Sequence, residues 1–396
     1  MASIQAALGA AFLMPWLPAA AQSTLASDAE PAWAAMPASL LPMRLPVGAT
    51  PGWVVRATAA DVEAADATPV RAIEGDWQRY APRGGRNVAL QSARIELAAT
   101  RRSWELAAVA RSEILIEGSR DAFDIVHAYK QRQDPADGSM FAPRAHADGV
   151  VWAGLRGARS WALGAGTDPA LQLTGALTLL SVRRVQQVDA SGRVQFDTAL
   201  GYAFDAQTLR QDSHRQFGGY GRRDATGSGY TVDLGLLWQP SADSFVNLSA
   251  VDVLSRLRVD GVSTEQATLS STTDALDANG YLNYRPLVMG RDASATLDFR
   301  LSRKWSASAG SRVAGWGGEM LAGARWERVG AVDLPALWAV VPLAPGWRLQ
   351  IDGELRFRSI GVGLKTRHAS VLLRTQSLTV SRSHALGWQV EFSLPL

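Results

Sequence analysis

The chain contains no cysteine, which removes disulfide frameworks, thiolate metal sites and a cysteine nucleophile together. A protein that crosses an oxidising compartment unfolded is thereby spared stray thiols. Beyond the N-terminus no run approaches the ~20 consecutive apolar residues that a spanning helix needs. Helical membrane proteins are therefore disfavoured, although 47% of the 396 residues are hydrophobic and the mean hydropathy is −0.04. Lysine is scarce, with Lys130, Lys304 and Lys365 standing beside a positive charge carried otherwise by arginine. Acidic residues are interleaved with the arginines and the formal charge is only +3, so the broad basic face of a nucleic-acid binder is not evident. Neither a Walker loop nor an HExxH zinc signature occurs.

What is present begins with an apolar run from Ala6 to Leu17, followed by Ala19-Ala20-Ala21 before Gln22. This reads as a signal peptide over residues 1–21 with a small-residue cleavage site, although no Lys or Arg precedes the run. Pro15 and Pro18 would break a buried helix soon after it started. Residues 22–85 are rich in Ala and Pro and show no sustained period. They read as an irregular leader, periplasmic or folded into a lumen as a plug, in which Trp53-Val54-Val55 has the makings of a short strand.

From about residue 86 the character changes to two-residue alternation in short segments divided by turn residues, the repeated mark of a transmembrane barrel. Trp347, Leu349, Ile351, Gly353, Leu355 and Phe357 alternate with Arg348, Gln350, Asp352, Glu354, Arg356 and Arg358. In a strand these fall on opposite faces, one apolar and one charged. The stretch Val194 to Asp205 repeats the pattern, as do Tyr230 to Trp238 and Ala295, Leu297, Phe299, Leu301. Trp104, Leu106, Ala108 and Ala110 oppose Glu105, Arg111 and Glu113. Turn residues at Thr100–Ser103, Pro240–Asp243 and Leu301–Lys304 each join two such runs, as antiparallel hairpins require. Longer connections are expected near Glu117–Ala147, Gln207–Ser228 and Arg258–Asn279, the first holding a helical stretch from Arg120 to Gln131. The expectation is an all-β, antiparallel transmembrane barrel over residues 86–396, with an even number of strands, about 14 within a range of about 12 to 16.

A soluble sandwich also alternates, but it buries its apolar face. Here the polar faces repeatedly carry Arg, Glu and Asp, which suits a wet lumen enclosed by hydrocarbon. Trp104, Trp238, Trp305, Trp326 and Trp347 sit at segment ends, where amphipathic rings meet headgroups. At the C-terminus Leu386, Trp388, Val390, Phe392, Leu394 and Leu396 alternate with Gly387, Gln389, Glu391, Ser393 and Pro395. This resembles the terminal strand of Gram-negative outer-membrane β-barrel proteins, which usually ends in Phe where this one has Leu396. The resemblance implies secretion to the periplasm, recognition of that strand by the barrel-insertion machinery and residence among outer-membrane lipid. In layout, a leader before a barrel is similar to long-chain fatty-acid transport barrels, although their N-terminal motif is lacking.

The sequence supplies no catalytic constellation, no metal site and no cofactor signature. His368-Ala369-Ser370 loosely resembles the His-x-Ser element of outer-membrane lipases, but Val371 follows where those enzymes have Asn. His127, His146 and His214 fall in connections without metal-ligand spacing. Phe217 to Arg223 is a glycine-rich run lacking a strand-to-helix setting, and reads as a loop. The candidate pore-lining residues are Arg94, Glu96, Arg111, Glu113, Arg300, Arg348, Glu354, Arg356 and Arg358. Such charges set a pore's selectivity or cross-brace a filled interior. Three functions follow: porin-like or facilitated transport of an unknown solute, hydrophobic if the lumen is plugged; a non-conducting structural or assembly component; and, third, a membrane-embedded hydrolase.

Overall fold

The computed structural model describes residues 50–396 apart from 78, 164–169, 215–224, 273, 277–281, 285–286 and 316–317. The expected signal peptide over residues 1–21, the leader up to residue 49 and the whole glycine-rich run 217–223 lie outside the described residues. In chain order the first elements are β1 (Thr50–Ala65), β2 (Asn87–Arg102), β3 (Trp104–Gly118), helix α1 (Arg120–Gln131), β4 (Met140–Phe141), β5 (Arg144–Leu163) and β6 (Ala170–Asp197). Then come β7 (Gly201–Asp212), β8 (Thr226–Ser241), β9 (Ser244–Ser270), β10 (Asp274–Leu276), β11 (Leu282–Tyr284), β12 (Val288–Phe299) and β13 (Lys304–Gly315). The last are β14 (Gly318–Val329), β15 (Val332–Ala344), β16 (Trp347–Glu354), β17 (Ser359–Lys365), β18 (Ala369–Thr375) and β19 (Ala385–Pro395).

A closed antiparallel cylinder of 14 strands runs β1-β2-β3-β5-β6-β8-β9-β13-β14-β15-β16-β17-β18-β19 and returns to β1. Each of the fourteen strands thus has a paired neighbour on both sides, the condition for placing a sheet in hydrocarbon. Tight connections at 241–244, 344–347 and 365–369 leave one rim, where the amide of Leu396 also donates to the carbonyl of Trp53 at 2.8 Å. Connections 66–86, 119–143 and 376–384 leave the other rim. Short periplasmic turns and longer extracellular loops orient the cylinder accordingly.

β6 and β9 outgrow the cylinder. β6 pairs with β8 over Ala170–Val182 and then with β7 over Gln186–Asp197. β9 pairs with β8 and, farther out, with β7 and β12. The change occurs at bulges, where register shifts between Val151 and Trp152 on β5 and between Val232 and Leu234 on β8, and where Asp252 takes a φ of 59°. Bulges bend and twist strands in this way at barrel rims. The result is an extracellular extension of β5, β6, β7, β9 and β12.

Five expectations are corrected. The barrel begins at Thr50 and not near residue 86, because β1 pairs with both β2 and β19. Its inward side is Arg56, Thr58, Ala60, Val62 and Ala64 and its outward side includes Ala57, Asp61 and Glu63, so the period of two is not written in hydrophobicity. Val194 to Asp205 is a hairpin, not one strand: Val194 faces Phe204 and Phe196 faces Tyr202. The carboxylate of Asp197 accepts from the amides of Ala199 and Leu200, and Gly201 supplies the φ of +79° the turn requires. Leu301–Lys304 makes no hairpin either, since β12 and β13 pair end to end with the same partner, β9. The stripe Leu297, Phe299, Leu301 faces inward, leaving Asp298 and Arg300 outside. β9 runs as strand to Ser270, where a connection was expected from Arg258. The helix over Arg120–Gln131 forms as expected, with the hydroxyl of Ser119 accepting from the amide of Ala122 as N-cap.

Candidate functional site

The cylinder's two faces differ in kind. Leu97, Leu106, Leu155, Leu179, Leu234, Leu337 and Leu373 lie exposed on its outer wall. At the periplasmic rim Trp53, Trp104, Trp161, Trp238 and Trp347 point outward, each from a different strand, and Tyr230, Trp305 and Trp326 mark the extracellular level. Arg183, Arg184, Arg256, Arg300 and Arg303 are exposed just beyond that second level. Inside, Arg94, Glu96, Glu105, Arg111, Arg156, Asp233, Asp252 and Lys304 are all buried. Greasy outside, charged inside and girdled by aromatics is the arrangement hydrocarbon selects. The chain is a bacterial outer-membrane β-barrel.

Among the described residues, most of the barrel's inward charges fall into three ion networks. In the first, Arg56 Nη2 meets Glu105 Oε2 at 2.7 Å and Arg156 Nη2 meets Glu105 Oε1 at 2.9 Å, with Glu96 and Arg94 beside them. In the second, Lys304 Nζ lies 2.7 Å from Asp252 Oδ2 and 2.9 Å from Glu113 Oε2. Arg111 Nη1 reaches Asp252 Oδ2 at 3.3 Å, its guanidinium stacks over Trp152 at 5.0 Å, and the amide of Asp252 donates to Asp233. In the third, Asp352 Oδ2 receives Arg374 Nη2 at 2.9 Å and faces Arg325 Nη2 at 3.7 Å. Glu327 completes it, 3.3 Å from Arg325 Nε.

The second network reaches across the lumen. Lys304 on β13 and Glu113 on β3 belong to walls five strands apart around the cylinder. At the same end a Cβ built on Gly330, in the β14–β15 turn with φ +57°, would lie 2.9 Å from Leu115 Cδ2 on β3. Around them Val62, Val88, Leu90, Val251, Val329, Leu334 and Phe357 pack as one apolar cluster drawn from most of the circumference. The cavity left beside Lys304 is about 30 Å³, lined by Leu90, Leu115, Val150, Phe299 and Val329 together with Glu113. That is the volume of one water molecule.

Of the residues expected to line a pore, Arg94, Glu96, Arg111 and Glu354 are buried inside, and Glu113 is nearly so. Arg348 is partly exposed. Arg356 bonds Asp66 at 2.7 Å and so ties the β16–β17 turn to the 66–86 connection. Arg300 and Arg358 are exposed and lie outside the lumen. β16 ends at Glu354, whose carboxylate accepts from the amides of Arg356 and Phe357, so the following turn buries Phe357 and turns Arg358 out with a φ of 54°. Arg56, Glu105, Arg156, Asp233, Asp252, Lys304, Arg325, Glu327, Asp352 and Arg374 were missed. Most alternate with outward apolar residues and were legible by parity. Asp252 sits in a bulge and Lys304 just after an apparent turn, where parity is lost.

Above the seal a polar mouth of about 620 Å³ is lined by Arg86, Glu117, Arg120, Asp121, Arg144, His146 and Asp189. His146 belongs to β5 and not to a connection. Its Nδ1 is 2.6 Å from Asp189 Oδ1 and its Nε2 is 3.0 Å from Asp148 Oδ2. Partial burial alone would lower the imidazolium pKa, but hydrogen bonds to Asp189 and Asp148 outweigh it and hold the pKa above the usual histidine value. His127 stacks on Tyr80 at 4.3 Å, and His214 contacts Ser213. The ring of His368 engages the carbonyl of Ser393 at 3.1 Å, in the β17–β18 turn.

Among solved structures the barrel is similar to the Pseudomonas putida toluene transporter TodX (8% identity, TM-score 0.41, 88% of this chain and 91% of that one). It is also similar to the CymD monoaromatic hydrocarbon channel (10%, 0.25, 86% and 87%) and to a Pseudomonas aeruginosa FadL homologue (10%, 0.19, 86% and 88%). No protein-family model matches the chain, and no curated protein matches it.

Proposed function

We propose that this barrel is a gated transport protein for small, largely apolar solutes and not an open porin. The observation that carries this reading is the Lys304–Glu113 contact across the lumen. An apolar cluster packs around this contact, and the ion pairs within it are the part of the interior that can separate by re-pairing rather than by unpacking. Buried ion pairs add little net stability over apolar residues of the same volume, so a purely structural barrel has no need of them. Within the second network Arg111 Nε and Glu113 Oε1 are buried without a hydrogen-bond partner among the described residues, which leaves capacity for a second arrangement. The cavity's lining surface comes mostly from Leu90, Ile114, Leu115, Val150, Phe299 and Val329, with Glu113, Asp148 and Lys304 at its border, which favours an uncharged solute. The three networks balance their cations and anions and so lack the one-sign field of an ion-selective pore. In this reading β19, with Phe392 and Leu394 facing lipid, also carries the insertion signal.

A second reading, a non-conducting structural component, is favoured by the apolar cluster that packs around the same contact. The double variant Lys304→Met/Glu113→Gln separates the two. Transport predicts flickering conductance of this variant in planar bilayers, and entry of the uncharged dye N-phenylnaphthylamine into cells bearing the wild-type barrel above that of cells without it. A silent variant together with dye entry no faster than in cells lacking the barrel leaves the structural reading.

A further inference from the structure

On the outer wall neither β12 nor β13 pairs with β9 between Leu257 and Val251. A groove of about 480 Å³ occupies this break, bordered by Tyr230, Leu254, Arg256, Arg300, Leu301 and Arg303. Its two halves differ. The membrane-facing half offers Leu254, 61% exposed, and the ring of Tyr230. The half facing away from the membrane offers three exposed guanidinium groups, Arg256, Arg300 and Arg303. One carboxylate lies near them, Asp298, with Oδ1 3.6 Å from Arg256 Nε. Among the described residues Arg300 and Arg303 have no ion pair. The groove's depth is set by its neighbour Trp305, which with Tyr230 and Trp326 marks the headgroup level.

We propose that this groove binds a phosphorylated lipid of the outer leaflet, its phosphate on Arg256, Arg300 and Arg303 and an acyl chain along Leu254 and Tyr230. Guanidinium groups match phosphate oxygens bidentately, with a geometry lysine lacks. The apolar half selects a lipid over a soluble anion, because it opens into hydrocarbon and gives a free phosphate nothing to bury. Arg300, which alternation alone places inside the barrel, is assigned to lipid by its outward position.

The test is native mass spectrometry of the full chain in neutral detergent, titrated with diphosphoryl lipid A, with dioleoyl phosphatidylcholine, or with inorganic phosphate as competitor. The wild type is expected to retain one lipid A and to discriminate against phosphatidylcholine. The triple variant R256Q/R300Q/R303Q is expected to weaken lipid A binding on the order of a hundredfold. The control R291Q, which removes an exposed arginine from β12 outside the groove, is expected to leave binding unchanged, and gel heat-modifiability verifies that each variant is folded. Equal binding by the wild type and the triple variant overturns the proposal. So does equal loss in the control, or displacement of lipid A by millimolar phosphate, which would make the site one for a free anion.

Discussion

On the single strand β9, Leu248 and Leu254 face outward within the cylinder, whereas Leu257, Val259 and Val262 face inward in the extension. Arg256, Arg258 and Asp260 take the outer face there. Leu248 and the outward residues from Leu254 to Asp260 share one parity, although the bulge between them turns Asp252 inward. The apolar residues move from one face to the other as the surroundings change from hydrocarbon to water. Below the bulges the interior mixes the three ion networks with an apolar cluster of Leu237, Phe245, Leu321, Trp338 and Val340. Above them Trp152, Val182, Val185, Leu257, Val259, Leu297 and Phe299 make a dry core of the kind soluble sheets bury.

The two interiors are expected to respond to different substitutions. Lys304→Met leaves Asp252 and Glu113 buried without their shared cation, and is expected to cost about 3–5 kcal/mol of stability, read from denaturant unfolding in lipid vesicles. Leu257→Ala, at a fully buried site of the extension, is expected to cost about 3 kcal/mol through lost burial and the cavity left behind. An unchanged midpoint for Lys304→Met would mean that the luminal ions are not what holds the interior.

The outer faces supply a gentler contrast. Leu97→Arg, in the middle of the lipid-facing wall, is expected to cost about 2 kcal/mol in bilayers. Ser294→Arg, on the exposed face of β12, is expected to stay within about 0.5 kcal/mol of the wild type. Equal penalties would place both surfaces in the same solvent and erase the distinction between cylinder and extension.

The cylinder was legible because its solvent imposes a strict pattern. Trp347 to Leu355 alternate as read, with Ile351 exposed outside and Gln350, Asp352 and Glu354 buried inside. The helix after Ser119 was legible from its apolar spacing. Three kinds of feature were not. β1 turns Ala57 and Asp61 outward and Arg56 and Ala60 inward, so small and charged residues occur on both faces and parity carries no hydrophobic signal. A period of two continues through the Asp197–Gly201 turn without a break, which disguised a hairpin as one strand. Ala295 to Leu301 alternate as lipid-facing strands do, but which side is apolar depends on height above the membrane, and no local pattern encodes height. The sealed lumen was illegible for a related reason: the partners of Lys304 lie 52 and 191 residues away.

The smallest expected effect is at the extracellular mouth, where the polar rule of the lumen meets water. His146 has a raised pKa, so its bonds to Asp148 and Asp189 contribute fully below the unfolded histidine value near 6.5 and are lost as pH rises through the higher folded value. Its side chain is 38% exposed, and solvent screening keeps the global contribution small. The measurable consequence is local: the β5–β6 wall at Asp148 and Asp189 should exchange amide protons more readily, after correction for intrinsic rates, on the alkaline side of that titration. His146→Gln, which cannot acquire charge, should flatten this dependence while leaving exchange in the cylinder below Arg184 unaltered. A titration midpoint for His146 below the ordinary histidine value in NMR of the labelled imidazole would mean that burial outweighs the two carboxylates, and the mouth would then continue the dry core of the extension.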